Sequence, residues 1–469
     1  MQRWLPVMAC CLATTACDTI FGLERGDTRV TGTYLARTLH NDASGAPLVE
    51  DVPLRAAEVS MEVRFEDGSE RGVTVDDAGK FTFDPPPGSL YTLTIRTSTD
   101  SVYQSRARDL VLVERVPGRL GRVEAPQNTR LALSIQNRSA MANAEHIATT
   151  GVWSHTSVQT VGPIDVDWRS VQTAAAESVG LLNDDDAWYL AYGIAQAPFP
   201  YQGLLQSARI PNVTMAPATR TMRDGVAVTH TLSQCAHVIS KIKSETTRLQ
   251  ALGPTFQWTS GTGWNLSAVP DAGHAIQHGF AVGYEGTPTI VDDLDRTIMY
   301  TNPFPGHAMI GFMEINGFRS TGSVSLQSDA RVIDRVPDDC ATPMVLGATV
   351  ASLPLAITIA GVRLTGDMQQ VEIDRRADSE ITWTPTEGAA DLWQVTLTEL
   401  VSTTATPRIS VFTTEPRLLL DPDLLLANHT YTLQIRTNFG TPGAADGDFA
   451  NGTLPRGSTA IYSTTFVVR

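Results

Sequence analysis

The chain lacks the motifs that identify many enzymes from sequence. It has no Gly-x-Ser-x-Gly elbow, no phosphate-binding glycine loop of the Walker type and no dinucleotide fingerprint, so three large enzyme classes have no support. A glycosidase is not excluded, because its two carboxylates need only lie about 5–10 Å apart in space and leave no sequence pattern. We therefore favour a non-enzymatic protein and leave the enzyme question open.

Positive charge is scarce as well. The 469 residues contain 35 Lys and Arg against 50 Asp and Glu, which gives a formal net charge of -15. Phosphate backbones and anionic lipids repel such a chain, so we expect no nucleic acid partner and no electrostatic attachment to a membrane. The hydrophobic fraction of 42% and the charged fraction of 18% are typical of a folded protein. At roughly 150 residues per domain, the length predicts about three domains.

Long apolar runs are absent after residue 16, since no later stretch has the ~20 apolar residues that span a bilayer. The first residues have the pattern of an export signal, with Arg3 before an uncharged run over residues 4–16. This run ends in LATTA before Cys17, which resembles the lipobox of bacterial lipoproteins. The resemblance implies a signal peptide over residues 1–16, a lipidated tether over residues 17–28, and a membrane-anchored lipoprotein in the bacterial cell envelope.

Alternatives to this interpretation stay open. Thr14 stands where lipoboxes prefer Leu or Val, and a second match that ends at Cys10 follows a very short apolar stretch. An ordinary signal peptide, cleaved without lipidation, would make the protein secreted. The choice between inner and outer membrane, and between the periplasmic and the surface face, is also undecided.

Cysteine is rare, with five in the chain. Cleavage before Cys17 would leave only Cys235 and Cys340 beside the lipidated residue. In an exported protein these two can form one disulfide, and two separate buried thiols are the alternative. Their spacing matches no zinc pattern.

Residues 29–123 have the alternating apolar pattern of half-buried strands, for example Met61, Val63 and Phe65. Residues 77–83 (DAGKFTF) and 87–93 (PGSLYTL) look like the carboxypeptidase-regulatory-like (transthyretin-like) β-sandwich. Gly79 and Gly88 can take positive φ, and the aromatic residues after them can fill a core. The resemblance implies a non-catalytic accessory or stalk module.

Residues 346–469 have the same alternating apolar pattern of strands. A strand with Trp383, a leucine-rich corner over residues 418–426 and the alternation of Tyr431, Leu433 and Ile435 are similar to a fibronectin type III-like sandwich. In such sandwiches a tyrosine near the corner bonds to the backbone, and Tyr431 is the candidate. We expect the loop at 438–457, rich in Gly, Ala, Asp and Asn, to be mobile or to face a ligand.

Residues 124–345 resemble no family that we can name, and they contain five of the eight tryptophans. Apolar alternation predicts strands, and two stretches, 170–182 and 232–252, could be helical. The predicted fold is therefore mostly β, with antiparallel β-sandwiches flanking a larger β-rich middle domain that has one or two helices.

Two groups of residues suggest metal sites. His274 and His278 are four positions apart, and His307 or Asp271 could be a third zinc ligand. However, Ala275 stands where zinc peptidases need Glu. Acidic clusters at residues 184–186 and 292–295 could hold loop calcium, although neither has the spacing of an EF-hand. Loop histidines and solvated acidic turns explain both patterns more simply, so we expect no cofactor by default.

Aromatic residues of the middle domain suggest a surface on which sugar rings could stack, as an alternative to their ordinary place in a β core. The candidates are Trp188, Tyr189, Trp258, Trp264 and Tyr284.

Two functional hypotheses follow. The first is a lipid-anchored cell-envelope protein that acts as a non-enzymatic binding or structural module for a protein or polysaccharide partner. The second is an envelope hydrolase, metal-assisted, with its site in the middle domain. The first depends on modular architecture and therefore partly on analogy of fold.

The lipid anchor gives a direct prediction. We expect the membrane-bound protein to begin at Cys17 with added acyl mass, and we expect Cys17→Ala to lose that mass and to leave the membrane fraction. Intact mass spectrometry of both proteins measures this. An unmodified mature chain in the wild type would establish secretion without an anchor.

Overall fold

The computed structural model describes most of the chain from residue 29 onward. The described ranges are 29–54, 59–96, 100–117, 125–142, 144–149, 152–157, 162–168, 180–196, 200–252, 256–260, 263–270, 279–284, 292–321, 324–373, 379–402 and 404–469. These residues form 34 strands and one α-helix, which confirms the mostly β fold. Cys17, the signal peptide and the tether lie outside the described residues. Within the described ranges, no helix is long and apolar enough to cross a membrane.

The N-terminal segment, residues 29–117, forms two facing sheets. Its strands are β1 (Val30–Asn41), β2 (Pro47–Pro53), β3 (Ser60–Phe65), β4 (Glu70–Val73), β5 (Lys80–Phe83), β6 (Tyr91–Arg96), β7 (Asp100–Ser105) and β8 (Asp109–Pro117). In one sheet, β2 and β5 pair with successive parts of β1, and β8 pairs with its opposite edge. The second sheet has the order β4-β3-β6-β7. Phe83 and Tyr91 join the two sheets, with ring centroids 5.0 Å apart.

The local predictions for this segment hold. Met61, Val63 and Phe65 are buried on one face of β3, and Gly79 and Gly88 adopt φ values of +72° and +69°. One expectation fails, since β8 pairs parallel to β1 and the segment is not wholly antiparallel. The reason is that β7 and β8 belong to different sheets, so the chain crosses between the layers before β8 reaches β1.

The middle segment is built from three groups of paired strands and the one α-helix. Its elements are β9 (Arg130–Gln136), β10 (Ala144–Thr149), β11 (Val152–Ser157), β12 (Ile164–Asp167), β13 (Asp185–Gln196), β14 (Pro200–Val213), β15 (Arg220–Val226), β16 (Val228–Thr229), β17 (Gln234–Ser240), α1 (Ile242–Leu252), β18 (Gln257–Ser260), β19 (Asn265–Val269), β20 (Phe280–Tyr284), β21 (Leu294–Tyr300), β22 (Ala308–Thr321), β23 (Val324–Arg335) and β24 (Pro343–Leu346). Two small sheets have the orders β12-β9-β15 and β21-β17-β24, and the other strands join a larger sheet through the hairpins β13–β14 and β22–β23.

The predicted helix over residues 232–252 is correct only in its second half. Ala236, Val238 and Ser240 are buried at alternate positions of β17, and β17 pairs with β21 and β24. Sheet pairing on both edges therefore overrides the helical pattern until Ile242, where α1 begins. The other predicted helix falls largely on residues 170–179, outside the described residues.

The C-terminal segment forms a second pair of facing sheets. Its elements are β25 (Pro354–Ile359), β26 (Val362–Arg363), β27 (Gln369–Val371), β28 (Ser379–Pro385), β29 (Leu392–Val401), β30 (Thr404–Thr413), β31 (Arg417–Leu420), a 3-10 turn (Pro422–Leu424), β32 (Thr430–Phe439), a 3-10 turn (Ala444–Asp446), β33 (Arg456–Tyr462) and β34 (Phe466–Val468). One sheet has the order β26-β25-β28-β31, and the other runs β30-β29-β32-β33. Trp383 and Trp393 pack between them with ring centroids 5.9 Å apart, and the Tyr431 hydroxyl accepts a hydrogen bond from the Leu426 N–H at 2.8 Å, as predicted.

Strand pairing also joins the segments to one another. β33 pairs with β23, so the C-terminal and middle segments share one sheet, and this sheet continues through 20 strands. Beside the junction, Arg436 donates two hydrogen bonds to Asp329 at 2.6 and 2.8 Å. Burial on its own raises the pKa of Asp329, but the hydrogen bonds and charge of Arg436 outweigh it, and the pKa lies below its ordinary value.

The loop at 438–457 is packed, contrary to the expectation that it is mobile or faces a ligand. Its backbone pairs with β8 through Val111, which donates to the Gly447 carbonyl and accepts from the Phe449 N–H, both at 3.0 Å. The Phe449 ring contacts Tyr103 of the N-terminal core, with centroids 5.1 Å apart. Gly447 makes this approach feasible, because a Cβ there would lie 1.9 Å from the Asp109 carbonyl oxygen.

Cys235 and Cys340 form a disulfide, with their Cα atoms 5.7 Å apart. Of the two alternatives left by the sequence, the structure therefore has the bonded one. The bond ties β17 to the segment that leads into β24, its parallel partner strand.

The bond of the corner tyrosine gives a stability prediction. Tyr431 is fully buried, so we expect Tyr431→Phe to lower the free energy of unfolding of the C-terminal segment by about 1 kcal/mol, the net value of one such hydrogen bond. Tyr462→Phe is the control, because within the described ranges the Tyr462 hydroxyl has no hydrogen bond. Urea unfolding followed by tryptophan fluorescence measures both, and equal effects in the two variants would contradict a specific role for the corner bond.

Candidate functional site

The N-terminal and C-terminal segments meet through an edge-to-edge strand contact. Val102, Tyr103 and Gln104 of β7 pair in parallel with residues 411–413 of β30. The rings of Tyr103 and Phe412 stack beside this contact, with centroids 5.4 Å apart. The sheet of the N-terminal segment thus continues into a sheet of the C-terminal segment.

A cleft of about 460 Å³ opens beside this junction. Its floor is the outer face of the N-terminal sheet, from which alternate residues such as Thr92, Thr94 and Arg96 point into it. Its walls are residues 407–411 of β30 and residues 419–421 at the end of β31. A volume of this size is in the range of ligand sites, so the cleft is the candidate functional site.

Gln104 joins the floor to one wall. Its side-chain amide donates to the Leu419 carbonyl and accepts from the Leu419 N–H, both at 3.0 Å, and donates to the Thr92 hydroxyl at 2.9 Å. The side chain is 1% exposed. All its hydrogen-bonding groups have partners, which positions β31 against β7.

Ion pairs reinforce the same junction. Arg64 on the floor contacts Asp421 on the wall at 2.7 Å, and Arg106 contacts Glu415 at 2.8 Å. Burial alone raises the pKa of Glu415, but hydrogen bonds from Arg417 and Arg106 outweigh it, so the pKa of this carboxyl is below its usual value. Among the charges that line the cleft, Arg64 and Asp421 therefore already pair with each other.

The predicted zinc ligands cannot be assembled from the described part of the chain. His274 and His278 lie outside it. His307 is buried between Phe280 and Phe304, with ring centroids 5.3 and 5.8 Å away. Its Nδ1 lies 3.0 Å from the Pro305 carbonyl oxygen and so donates to it, while Nε2 has no partner among the described residues. Burial lowers the pKa of His307 to about 4, so the imidazole is neutral at pH 7.

The first acidic cluster is structural. Asp184 accepts from the Thr214 hydroxyl at 2.8 Å, and Asp186 forms an ion pair with Arg209. Arg209 also donates to the carbonyls of Ala43 and Ser44, at 2.9 and 2.7 Å, so the cluster anchors the N-terminal segment to the middle one. Among the described residues no group of three metal-ligating side chains occurs, here or elsewhere.

The second acidic cluster caps the α-helix. Asp293 accepts hydrogen bonds from the backbone N–H groups of Lys243 and Ser244, at 2.9 and 3.0 Å. Asp292 pairs with the Lys243 ammonium at 2.5 Å, and Asp295 pairs with His237 at 2.7 Å. Asp293 thus satisfies free N–H groups of the first helical turn from a distant segment, and side-chain partners account for the other two carboxylates.

The aromatic surface proposed for sugar stacking does not form. Trp188, Tyr189, Trp258 and Trp264 are all at most 6% exposed, and Tyr284 is half-buried. Trp188 packs against Phe304, with centroids 4.9 Å apart. Trp188 and Tyr189 are consecutive and enter two different hydrophobic clusters, because β13 is buried on both faces. The simpler interpretation of Trp188, Trp258 and Trp264 therefore applies.

One pair of side chains has the geometry of a nucleophile and its base. The Ser207 hydroxyl lies 2.8 Å from His230 Nε2, and burial lowers the pKa of His230. Ser207 is only 4% exposed. Within the described ranges no carboxylate contacts His230, so these residues do not supply the third member of a catalytic triad.

No protein-family model matches the chain, and no curated protein matches it. Among solved structures, it is similar to the minor pilin GBS52 of Streptococcus agalactiae, with 12% identity over 43% of this chain and 97% of that one, and a TM-score of 0.14. It is also similar to the FN1–FN3 domains of chicken CNTN1, with 8% identity over 92% of this chain and 99% of that one, and a TM-score of 0.14. At these TM-scores neither likeness bears on the function of this chain.

The amide of Gln104 gives a prediction for the junction. Gln104→Glu keeps the shape but removes the donor to Leu419 and Thr92 and buries a charge, so we expect a loss of about 3 kcal/mol in the free energy of unfolding at pH 7. Lower pH should recover part of this, because the protonated carboxyl can donate again. Gln327→Glu, at an exposed position, is the control. Equal unfolding midpoints for both variants would contradict the assigned role.

Proposed function

We propose that this protein is a lipid-anchored cell-envelope protein that binds a protein or polysaccharide partner without catalysis, and that the cleft between its N-terminal and C-terminal segments is the binding site. The observation that carries the proposal is the cleft itself, about 460 Å³ in volume, with walls from two segments and polar groups converging on it. The anchor on Cys17 rests on the sequence alone.

The rigid frame around the cleft supports a binding role. Strand pairing at 411–413, the Gln104 amide and the contact between Arg64 and Asp421 hold the walls in place. A preorganised site loses less conformational entropy when it binds, so more of its contact energy becomes affinity.

We also propose that the two flanking segments belong to the families that their motifs resemble. For the N-terminal one, the support is the sandwich with turns at Gly79 and Gly88. For the C-terminal one, it is the sheet order β30-β29-β32-β33 opposite β25-β28-β31 and the bond of Tyr431. Modules that resemble the first of these serve mainly as accessories and stalks, which agrees with binding rather than chemistry.

The alternative, a metal-assisted hydrolase, keeps one supporting observation. His307 donates through Nδ1 to a backbone carbonyl and leaves Nε2 unprotonated and without a partner among the described residues, and metal-binding histidines often have this arrangement. A single ligand is weaker support than a formed cleft, so binding is the preferred function.

The cleft can be tested by filling it. We expect Thr94→Trp, on the floor, to weaken partner binding by about tenfold or more, because the indole occupies the ligand's volume. Thr82→Trp is the matched control, on an exposed position of the other sheet in the same segment. The full-length protein in detergent would be screened against a glycan array and a phage-displayed library of random peptides.

Binding of either ligand class to the wild type and to Thr82→Trp, with loss in Thr94→Trp, is the expected result. Enrichment of neither class on the wild type, or equal binding by Thr94→Trp, would contradict a binding role for the cleft. Unfolding curves of the three proteins show whether a loss of binding comes from misfolding. If Thr94→Trp is misfolded, Arg96→Trp, at an exposed position of the same floor, replaces it.

A further inference from the structure

We infer that the cleft binds an extended peptide, which adds as a strand to the free edge of β30. This inference rests on the proposed function, because it names the class of partner that the cleft takes.

The cleft lies along the edge of β30 that β7 joins. Val102 and Gln104 of β7 line the cleft, and both belong to the stretch that pairs with residues 411–413 of β30. Residues 407–411 of β30 line it as well, and they run up to the first of these paired residues. The cleft therefore begins where the pairing of β7 with β30 ends.

This edge of β30 is unpaired along most of its length. On one side, β29 pairs with β30 from Thr404 to Thr413. On the other side, β7 pairs only with residues 411–413. In the described part of the chain, no strand pairs with this side of residues 404–410. These seven residues would pair with an extended peptide of roughly 23 Å, at ~3.3 Å per residue.

The existing junction supports a strand as the occupant. β7 is a strand from a different segment that already adds to this same edge, in parallel, directly after the unpaired stretch. A peptide along residues 404–410 would continue, on the same edge of β30, the pairing that β7 makes with residues 411–413. Edges of this kind serve as templates for strand addition.

The opposite wall already binds an amide. Gln104 donates to the Leu419 carbonyl and accepts from the Leu419 N–H, both at 3.0 Å. This is the pair of bonds that a peptide group makes with an edge strand, so the side chain imitates one residue of an added strand. One backbone edge at this cleft therefore already pairs with a group that has the donor and acceptor of a peptide unit.

Two features of β30 would set the register of the peptide. Pro407 has no N–H to donate, so the added strand can make no bond to nitrogen at that position. The pairing of β30 with β29 shifts register between Ile409 and Pro407, which leaves Arg408 in a bulge. An added strand must match both irregularities, which makes the edge selective rather than open to any chain.

The test begins with a phage-displayed library of random 12-residue peptides, selected on the full-length wild-type protein in detergent. Enriched peptides would be synthesised and their Kd measured against wild type, Thr94→Trp and Thr82→Trp. Hydrogen exchange with bound peptide then locates the contact. We expect slower amide exchange within residues 404–410, and a loss of affinity of about tenfold in Thr94→Trp against less than about twofold in Thr82→Trp.

Three results would overturn the inference. Enriched peptides that protect other segments, or bind Thr94→Trp equally well, would place the site elsewhere. Enrichment of glycans alone would leave the proposed binding function intact and exclude the peptide. Self-association of the wild type in sedimentation, lost in Thr94→Trp and without any enriched peptide, would assign the edge to a second copy of this chain.

Discussion

Unsatisfied backbone groups along strand edges are the constraint on which this structure depends. Each edge presents N–H and C=O groups that are costly to bury without partners. Part of the edge of β7, in the N-terminal segment, pairs with β30, and part of the edge of β23, in the middle segment, pairs with β33. Because these pairings cross the boundaries between segments, the C-terminal segment connects the other two through one continuous sheet.

Side chains reinforce each crossing in a different way. Arg436 and Asp329 form a mostly buried ion pair where the middle and C-terminal segments meet, and Gln104 uses a neutral amide where the N-terminal and C-terminal segments meet. A third contact, through Asp186 and Arg209, returns from the middle segment to the N-terminal one. The three segments therefore hold one another in a closed set of contacts, which limits how far the walls of the cleft can move.

The cleft is a consequence of incomplete pairing. β7 follows β30 for only three residues, and beyond that point the two strands separate. The space between them is lined by polar and charged side chains that pair across it, such as Arg64 with Asp421. Its edges still carry free backbone groups, which is why a ligand with backbone-like hydrogen bonding fits it better than one held by stacking on aromatic rings.

The sequence by itself determined features that depend on neighbouring positions. The period of two placed Met61, Val63 and Phe65 in a core, glycine identified two turns, and Tyr431 was recognised at its corner. It failed where distant contacts decide the outcome. The stretch before Ile242 became a strand because β21 and β24 flank it.

The candidate site was decided by the tertiary structure alone. Gln104 and Leu419 are 315 positions apart, and no pattern near either residue indicates the other. Periodicity shows which face of a strand is buried, but strand edges consist of the same backbone groups everywhere, so it does not show which edges pair. That choice depends on how whole segments pack, and it created both the cleft and the free edge beside it.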